Sequence, residues 1–368
     1  KLIPKNALLI VVRSGILKHT LPIAINRKPL TINQDVKALV FNKQYKVSSE
    51  YVGYYLKTFQ DEILPLIVKH STTVQSVNSE QFNQLKIPLP PIEIQNQIAN
   101  VMNLSIINKK QKLCQAEELL HSIDAYILSE LGIKLPELKD KACFTIKASE
   151  VKNNRIDAYY YQPKFEAIEN CIGKGKFQVK ALKEFISKIH YGASVKNEYS
   201  DSGIPFLRIN NLRENEIELA GVIKLPESMR ANLGNAFVEE GDLLISRSGT
   251  IGLVSVVPKE ADGFAFGSFM IKFCLNAQVN KSYVASWLNT KLQKILVQRE
   301  KIGAIQGNIT IPTIENFKIP VPSLSVQQKI ADEVKSRMDK AKQLQKEAQE
   351  ILESAKNKAE EMILGEKR

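Results

Sequence analysis

Ile87-Pro88-Leu89-Pro90-Pro91-Ile92-Glu93-Ile94-Gln95-Asn96-Gln97-Ile98-Ala99 and Ile319-Pro320-Val321-Pro322-Ser323-Leu324-Ser325-Val326-Gln327-Gln328-Lys329-Ile330-Ala331 carry one pattern twice. Each is an Ile-Pro-x-Pro element, then Gln-x-x-Ile-Ala at the start of an apolar helix. The same offset holds upstream, where Tyr51-Val52, Leu56 and Ile63-Leu64 pair with Tyr283-Val284, Leu288 and Ile295-Leu296. Farther back, Arg13-Ser14-Gly15 pairs with Arg247-Ser248-Gly249 at a slightly longer offset. So long a period excludes a solenoid. It implies two heads on a spacer, which suits a target that itself has two separated halves.

Outward from the repeat, residues 7–47 read as short strands at Leu8 to Val12, Leu21 to Asn26 and Val36 to Phe41, punctuated by Gly15, Pro22 and Asn33. Ser48 or Ser49 is placed to cap a helix with Val52, Tyr55, Leu56, Phe59 and Ile63 on one face, which Pro65 is expected to end or kink. Alternate prolines make Ile87–Pro90 extended rather than helical. From Ile92 to about Leu131, Ile94, Ile98, Val101, Leu113, Ala116, Leu120, Ile123 and Ile127 recur by threes and fours. About 40 residues at 1.5 Å each predict a rod of about 60 Å. Asn108, Lys109, Lys110 and Lys112 weaken its centre. The second rod is cleaner, with Val334, Met338, Ala341, Leu344, Ala348, Ile351, Ala355, Ala359 and Met362 on one narrow seam. A seam this narrow packs on one partner helix, as in a coiled coil; the alternative is a helix lying on its own globular domain.

The predicted organisation is a partial first recognition domain at 1–91, a first long helix at 92–135, a larger mixed domain at 145–324 and a second long helix at 325–366. The fold class is α+β, with mixed α/β domains joined by two long antiparallel helices. Roughly residues 150–240 of the second copy have no counterpart in the first, so the start of the chain is expected to fall inside its first domain.

Composition bounds the chemistry. A net charge of +12 favours a polyanion, most simply duplex DNA bound through counterion release, or else describes a solvated basic surface. Aromatic content of 7% leaves few stacking platforms for single strands. Cys114, Cys143, Cys171 and Cys274 stand singly, without metal-ligand spacing, which reads as a reducing cytosol without structural zinc. No run approaches the length of a membrane span. The sequence has no phosphate-binding Gly-x4-Gly-Lys-Ser/Thr loop, no Gly-x-Ser-x-Gly elbow and no His-Glu-x-x-His. The lone Pro-Pro, Pro90-Pro91, lacks the Asn/Asp before it and the aromatic after it that an amino-methyltransferase would need.

Candidate readers of DNA are basic and amide side chains on turns after strands. Arg208, Asn210 and Asn211 follow a strand beginning at Pro205-Phe206. Arginine reads guanine edges and asparagine reads adenine; an asparagine can instead hold a turn by bonding to the backbone. Arg247, Ser248 and Thr250 flank Gly249, which lets backbone approach a phosphate; Arg247 has the alternative of a carboxylate partner. Lys301, Gln306 and Asn308 lie on the polar loop before the second Ile-Pro-x-Pro, and Lys69, Gln75 and Ser76 on the loop before the first. Arg13 and Lys18, with the neighbouring His19, complete the set in the first copy.

The duplicated Ile/Leu-Pro-x-Pro, Gln-x-x-Ile-Ala and long helix resemble the specificity subunit of type I restriction-modification systems. Gly241-Asp242-Leu243-Leu244-Ile245-Ser246-Arg247-Ser248-Gly249-Thr250-Ile251-Gly252 and Phe206-Leu207-Arg208-Ile209-Asn210-Asn211 are similar to stretches of that family's target recognition domains. The first copy departs, with Asn6-Ala7-Leu8-Leu9-Ile10 in place of Gly-Asp-Leu-Leu-Ile. The resemblance implies a non-catalytic reader, each domain binding one half of a bipartite DNA site, with helix length setting the unread spacer. It implies methylation subunits supplying S-adenosylmethionine chemistry at adenine, translocase-nuclease subunits using ATP and magnesium, and no cofactor on this chain. The competing readings are the specificity region of a fused restriction-methylation polypeptide, a coiled-coil scaffold whose heads bind protein, and an outright enzyme.

Overall fold

The computed structural model describes residues 2–69, 74–151, 155–196, 199–300 and 307–364. Contacts divide the chain into two units, Lys1–Glu118 with Lys340–Arg368, and Leu119–Asp339.

In the first unit, β1 (Leu8–Val11) is the centre of an antiparallel sheet between β2 (Ile23–Ile25) and β3 (Val36–Leu39). Its alternation puts Leu8 and Ile10 into the core at 0% exposure. Helix α1 (Ser49–Thr58) is capped by the Ser48 hydroxyl, which accepts from the Tyr51 N–H. The chain turns at Phe59 into α2 (Gln60–Ile67), so the break comes before Pro65 and not at it. Pro65 sits in the second turn of α2, where its missing N–H forfeits one bond, to Asp61 in the first turn. A two-stranded ribbon of β4 (Val68–Lys69) and β5 (Ser76–Val77) and the short α3 (Ser79–Asn83) complete the head. Helix α4 (Ile92–Leu131) follows. Within this unit its Ile98 and Met102 share a core with Ala355 and Ala359 from the far end of the last helix, and Lys112 pairs with Glu347 at 2.7 Å.

The second unit opens with α5 (Pro163–Gly173), β6 (Val179–Ala181) and β7 (Ile186–Tyr191). Next come β8 (Ile204–Leu207), the hairpin β9 (Leu212–Arg213) and β10 (Glu216–Ile217), β11 (Ile223–Leu225) and the one-turn α6 (Arg230–Leu233). Strands β12 (Leu243–Ser246), β13 (Val254–Val256), β14 (Ala265–Phe266) and β15 (Met270–Leu275) lead to α7 (Lys281–Leu288), α8 (Lys291–Glu300), α9 (Ile311–Glu315), β16 (Lys318–Pro320) and α10 (Leu324–Leu364). The sheet β13-β12-β15 repeats the order β2-β1-β3 and gains β7 at its edge. In a second sheet, β11-β8-β14, β8 and β11 come from residues with no counterpart in 1–91, while β14 lies beyond them. Trp287, Tyr283 and Phe273, all at 0% exposure, centre the core.

The duplication is a duplication of one clamp. Tyr51 Oη donates to the Pro88 carbonyl at 2.6 Å, and Tyr283 Oη to the Pro320 carbonyl at 2.7 Å. Gln95 Nε2 donates to Pro90 O and its Oε1 accepts from the Ser48 N–H; Gln327 does the same with Pro322 O and the Asn280 N–H. Each buried glutamine thus ties the cap of a head helix to the start of a long one. The Ile-Pro-x-Pro elements differ in one respect. Lys318–Pro320 pairs with β6, whereas Ile87–Pro90 has no strand partner among the described residues.

The helices pair antiparallel inside both units. In the second, Ile127, Leu128 and Leu131 of α4 share a core with Ile330, Ala331 and Val334 of α10. Lys329 meets Glu130 at 2.9 Å, and Arg337 Nη1 donates to Ser122 O and Oγ. The α10 seam follows its spacing throughout. On α4, Leu113 and Leu120 are 36% and 38% exposed, because the close approach is made through the small Ala116 at 0%. At its end Gly132 takes φ +66 and Ile133 N–H returns to Leu128 O.

Candidate nucleic-acid interface

The turn after β12 carries Arg247, Ser248, Gly249 and Thr250. Gly249 has φ +77 with open space where a side chain would be, so glycine is required there by backbone conformation and leaves an exposed backbone. Ser248 bridges to Asn308, and the Ile309 N–H donates to Arg247 O at 3.0 Å. The polar loop before the second Ile-Pro-x-Pro is therefore laid against the Arg-Ser-Gly turn. The first copy repeats this: Arg13 bridges to Ser76, and the Ser14 N–H donates to Gln75 O at 3.0 Å. The two sets of candidates, separate in sequence, are brought together in each head.

Arg208 leaves the end of β8. Gly267 N–H donates to Leu207 O at 3.0 Å, and Arg247 N–H to Phe269 O at 2.9 Å, so residues 267–269 lie between the two arginines. The approach requires Gly192, where a Cβ would collide with the Gly267 carbonyl. Around this turn stand Tyr191, Tyr199 and Phe269, 43%, 49% and 45% exposed. The Arg247 guanidinium lies 4.8 Å from the centre of the Tyr191 ring, and that of Arg208 lies 5.7 Å from the Tyr199 ring.

The lack of an ionic partner sets these arginines apart. Arg27, Arg155, Arg213, Arg230, Arg299 and Arg337 are each ion-paired to a carboxylate. Among the described residues the arginines with no carboxylate partner are Arg13, Arg208 and Arg247, the three that the sequence singled out. The Nε of both Arg208 and Arg247 is buried without a hydrogen-bond partner, and Arg247 Nη1 reaches only Ser268 O, at 3.4 Å. Unneutralised guanidinium on a half-buried stem is suited to an incoming phosphate or base edge.

The other candidates divide. Asn211 is buried at 4% exposure, its Oδ1 accepting from the Arg208 N–H and its Nδ2 donating to Glu218 O. It holds the turn beneath Arg208, and the expectation that it reads a base is corrected, because both ends of its amide are spent inside. Asn210 and Thr250 are exposed on the same turns. Ser248 and Gln75 are buried, 6% and 1% exposed, which gives them a place in the loop framework rather than on the surface. Lys18 and Lys69 are exposed in the first head, as is Arg13. Lys301 and Gln306 lie outside the described residues. The aromatic supports Tyr191, Tyr199 and Phe269 escaped the sequence reading; their only signal was an aromatic beside glycine or serine in a strand-to-turn stretch.

The Gly-Asp stretch before β12 turns out to be structural. Asp242 and Lys272 form a buried pair at 3.1 Å, Asp242 Oδ2 accepts the Glu239 N–H, and Cys274 Sγ donates to Oδ1 at 2.9 Å. Burial first, then the bond and charge of Asp242, push the Cys274 thiol up to about 11. In the first copy Asn6, with φ +65, stands for Gly241 at φ +83. Ala7 stands for Asp242, and Ala38, opposite Leu9 as Lys272 is opposite Leu244, stands for Lys272. Both members of the pair are replaced together.

Among the described residues no cluster of three or more His, Cys, Asp or Glu could hold a metal ion, and no helix is long and apolar enough to cross a membrane.

Residues 1–118 and 174–354 match the family described as type I restriction modification DNA specificity domain. The type I restriction enzyme MjaVIII specificity subunit of Methanocaldococcus jannaschii is 24% identical over 328 residues, covering 87% of this chain and 70% of its own. Two solved structures share the fold. The S subunit of a type I restriction-modification system from M. genitalium covers 99% of this chain and 84% of its own, with a TM-score of 0.52 and 16% identity. A chain from a structural study of type I restriction-modification complex assembly and conformational transition covers 99% and 82%, with a TM-score of 0.56 and 15% identity. With a family match over most of its length and a fold shared with a solved S subunit, this chain belongs to the type I restriction-modification specificity family, as a non-catalytic subunit that recognises DNA sequence.

Proposed function

We propose that the chain reads a bipartite duplex target, one half at the Arg208–Arg247 surface of the second head and the other at Arg13 of the first. The observation that carries this is the selective absence of carboxylate partners from these three arginines in a chain whose other described arginines are paired. A net charge of +12 supplies the sequence-independent attraction. The paired α4 and α10 act as the ruler between half-sites. Methylation subunits carry S-adenosylmethionine chemistry to adenine, translocase-nuclease subunits bring ATP and magnesium, and assembly takes place in the cytoplasm. Leu104, Ile106 and Ile107 on α4, 60%, 44% and 52% exposed, fit a surface that a protein partner covers.

The test is selection from a randomised duplex library across a salt series, with and without a cognate methylation subunit. Two short motifs at fixed spacing establish the bipartite reader; one motif assigns reading to the second head alone. No enrichment at any salt would move the chain to a protein-binding scaffold.

A further inference from the structure

We infer that Tyr191 is a positioning residue for Arg247, holding its guanidinium in one orientation so that the second head discriminates a base rather than merely attracting phosphate. This rests on the proposed reading of DNA by that head. Three observations converge on the side chain. Its ring lies 4.8 Å beneath the Arg247 guanidinium. Its hydroxyl accepts the Ile311 N–H at 3.4 Å, next to the Asn308–Ile309 segment that bridges to Ser248 and Arg247. Its backbone is fixed by pairing with Ile271 in β15, whose neighbour Met270 pairs with Ser246 just before Arg247.

The need for such a support follows from what Arg247 lacks. With no carboxylate partner and its Nε unbonded, nothing polar fixes the fork except a long contact to Ser268 O. A planar guanidinium over a planar ring keeps its in-plane N–H groups pointing outward, the geometry that a bidentate contact to a guanine edge requires.

The experiment is the same library selection, on the full chain assembled with its cognate methylation subunit, comparing the unsubstituted chain with Tyr191→Phe and Tyr191→Leu. Tyr191→Phe keeps the ring and should keep the preferred bases. Tyr191→Leu should flatten preference at one or two adjacent positions of one half-site by about tenfold, leaving the other half-site and the slope of affinity against salt unchanged. Unchanged preference in Tyr191→Leu would overturn the inference, as would an equal loss in Tyr191→Phe or loss of both half-sites together, since these mark a structural role. Absence of any motif with the unsubstituted chain would overturn the reading of DNA itself, which is a different result.

Discussion

At the scale of single residues, what matters is which charges are neutralised. Arg208 and Arg247 are not, and replacing either by alanine should cost about 1–3 kcal/mol against the preferred site if the contact is bidentate, with weaker effects on unrelated duplexes; comparative titrations of the two duplex types check this. Asp242 and Lys272 neutralise each other in the core, and there the expected cost is asymmetric. Asp242→Ala alone should lose about 3–5 kcal/mol, because it strands a buried ammonium, while Asp242→Ala combined with Lys272→Ala should recover a good part of that loss. Urea midpoints of the single and double variants measure it. The Cys274 thiol gives the pH dependence. Its pKa rises from 9.0 to about 11 on folding, so its contribution is complete below pH 9 and is lost as pH rises through 11. Cys274→Ala should therefore show less alkaline destabilisation over that window than the unsubstituted chain. Much of this residue chemistry was legible in the sequence: the three unpaired arginines stood out as strand-end residues beside glycine or asparagine. The Asp242–Lys272 pair did not, because it depends on a cross-strand register between residues 30 apart in the chain. Asn211 was misread because an amide that reads a base and one that braces a turn have the same sequence signature, and only its burial separates them.

At the scale of elements, the most informative stretch of sequence proved to be architectural. Gln95 and Gln327 repeat because each satisfies a helix-cap N–H and a proline carbonyl at once from a buried side chain. Gln327 is 0% exposed, so Gln327→Ala leaves both partners unmet and should cost about 2–4 kcal/mol. Thermal unfolding of the variant against Gln328→Ala, on the exposed side of the same turn, separates this from a loss of helix propensity. Strands, helix starts and the α10 seam were legible because alternation, a serine cap and a threefold-fourfold spacing are local signals. Two elements were not. The break at Phe59 rather than Pro65 reflects a second helix that tolerates proline in its second turn, where only one backbone bond is lost. The exposure of Leu113 and Leu120 reflects drift of the helix repeat, which turns Ala116 to the partner and carries both leucines to the flank.

At the scale of the molecule, each head packs its own stretch of α4 against its own stretch of α10, Ile98 with Ala355 in one unit and Ile127 with Ile330 in the other. If the helix pair is the ruler, inserting one heptad into both helices should lengthen the preferred gap between half-sites while leaving the half-sites themselves unchanged; library selection reads both, and a fixed gap would remove the ruler. The two-headed plan was legible because a duplication announces itself by comparing the sequence with itself. The bases read were not, since they depend on how Arg208, Arg247 and the 267–269 turn meet a groove. The duplication also bears on how the two halves can vary. The ion pair between Asp242 and Lys272 faces two alanines at the matching places in the other half, Ala7 and Ala38. Losing either charge alone would strand the other in the core, so the two positions can change only as a couple. They are in effect one site written in two places, and any exchange of strands between the halves would have to carry both.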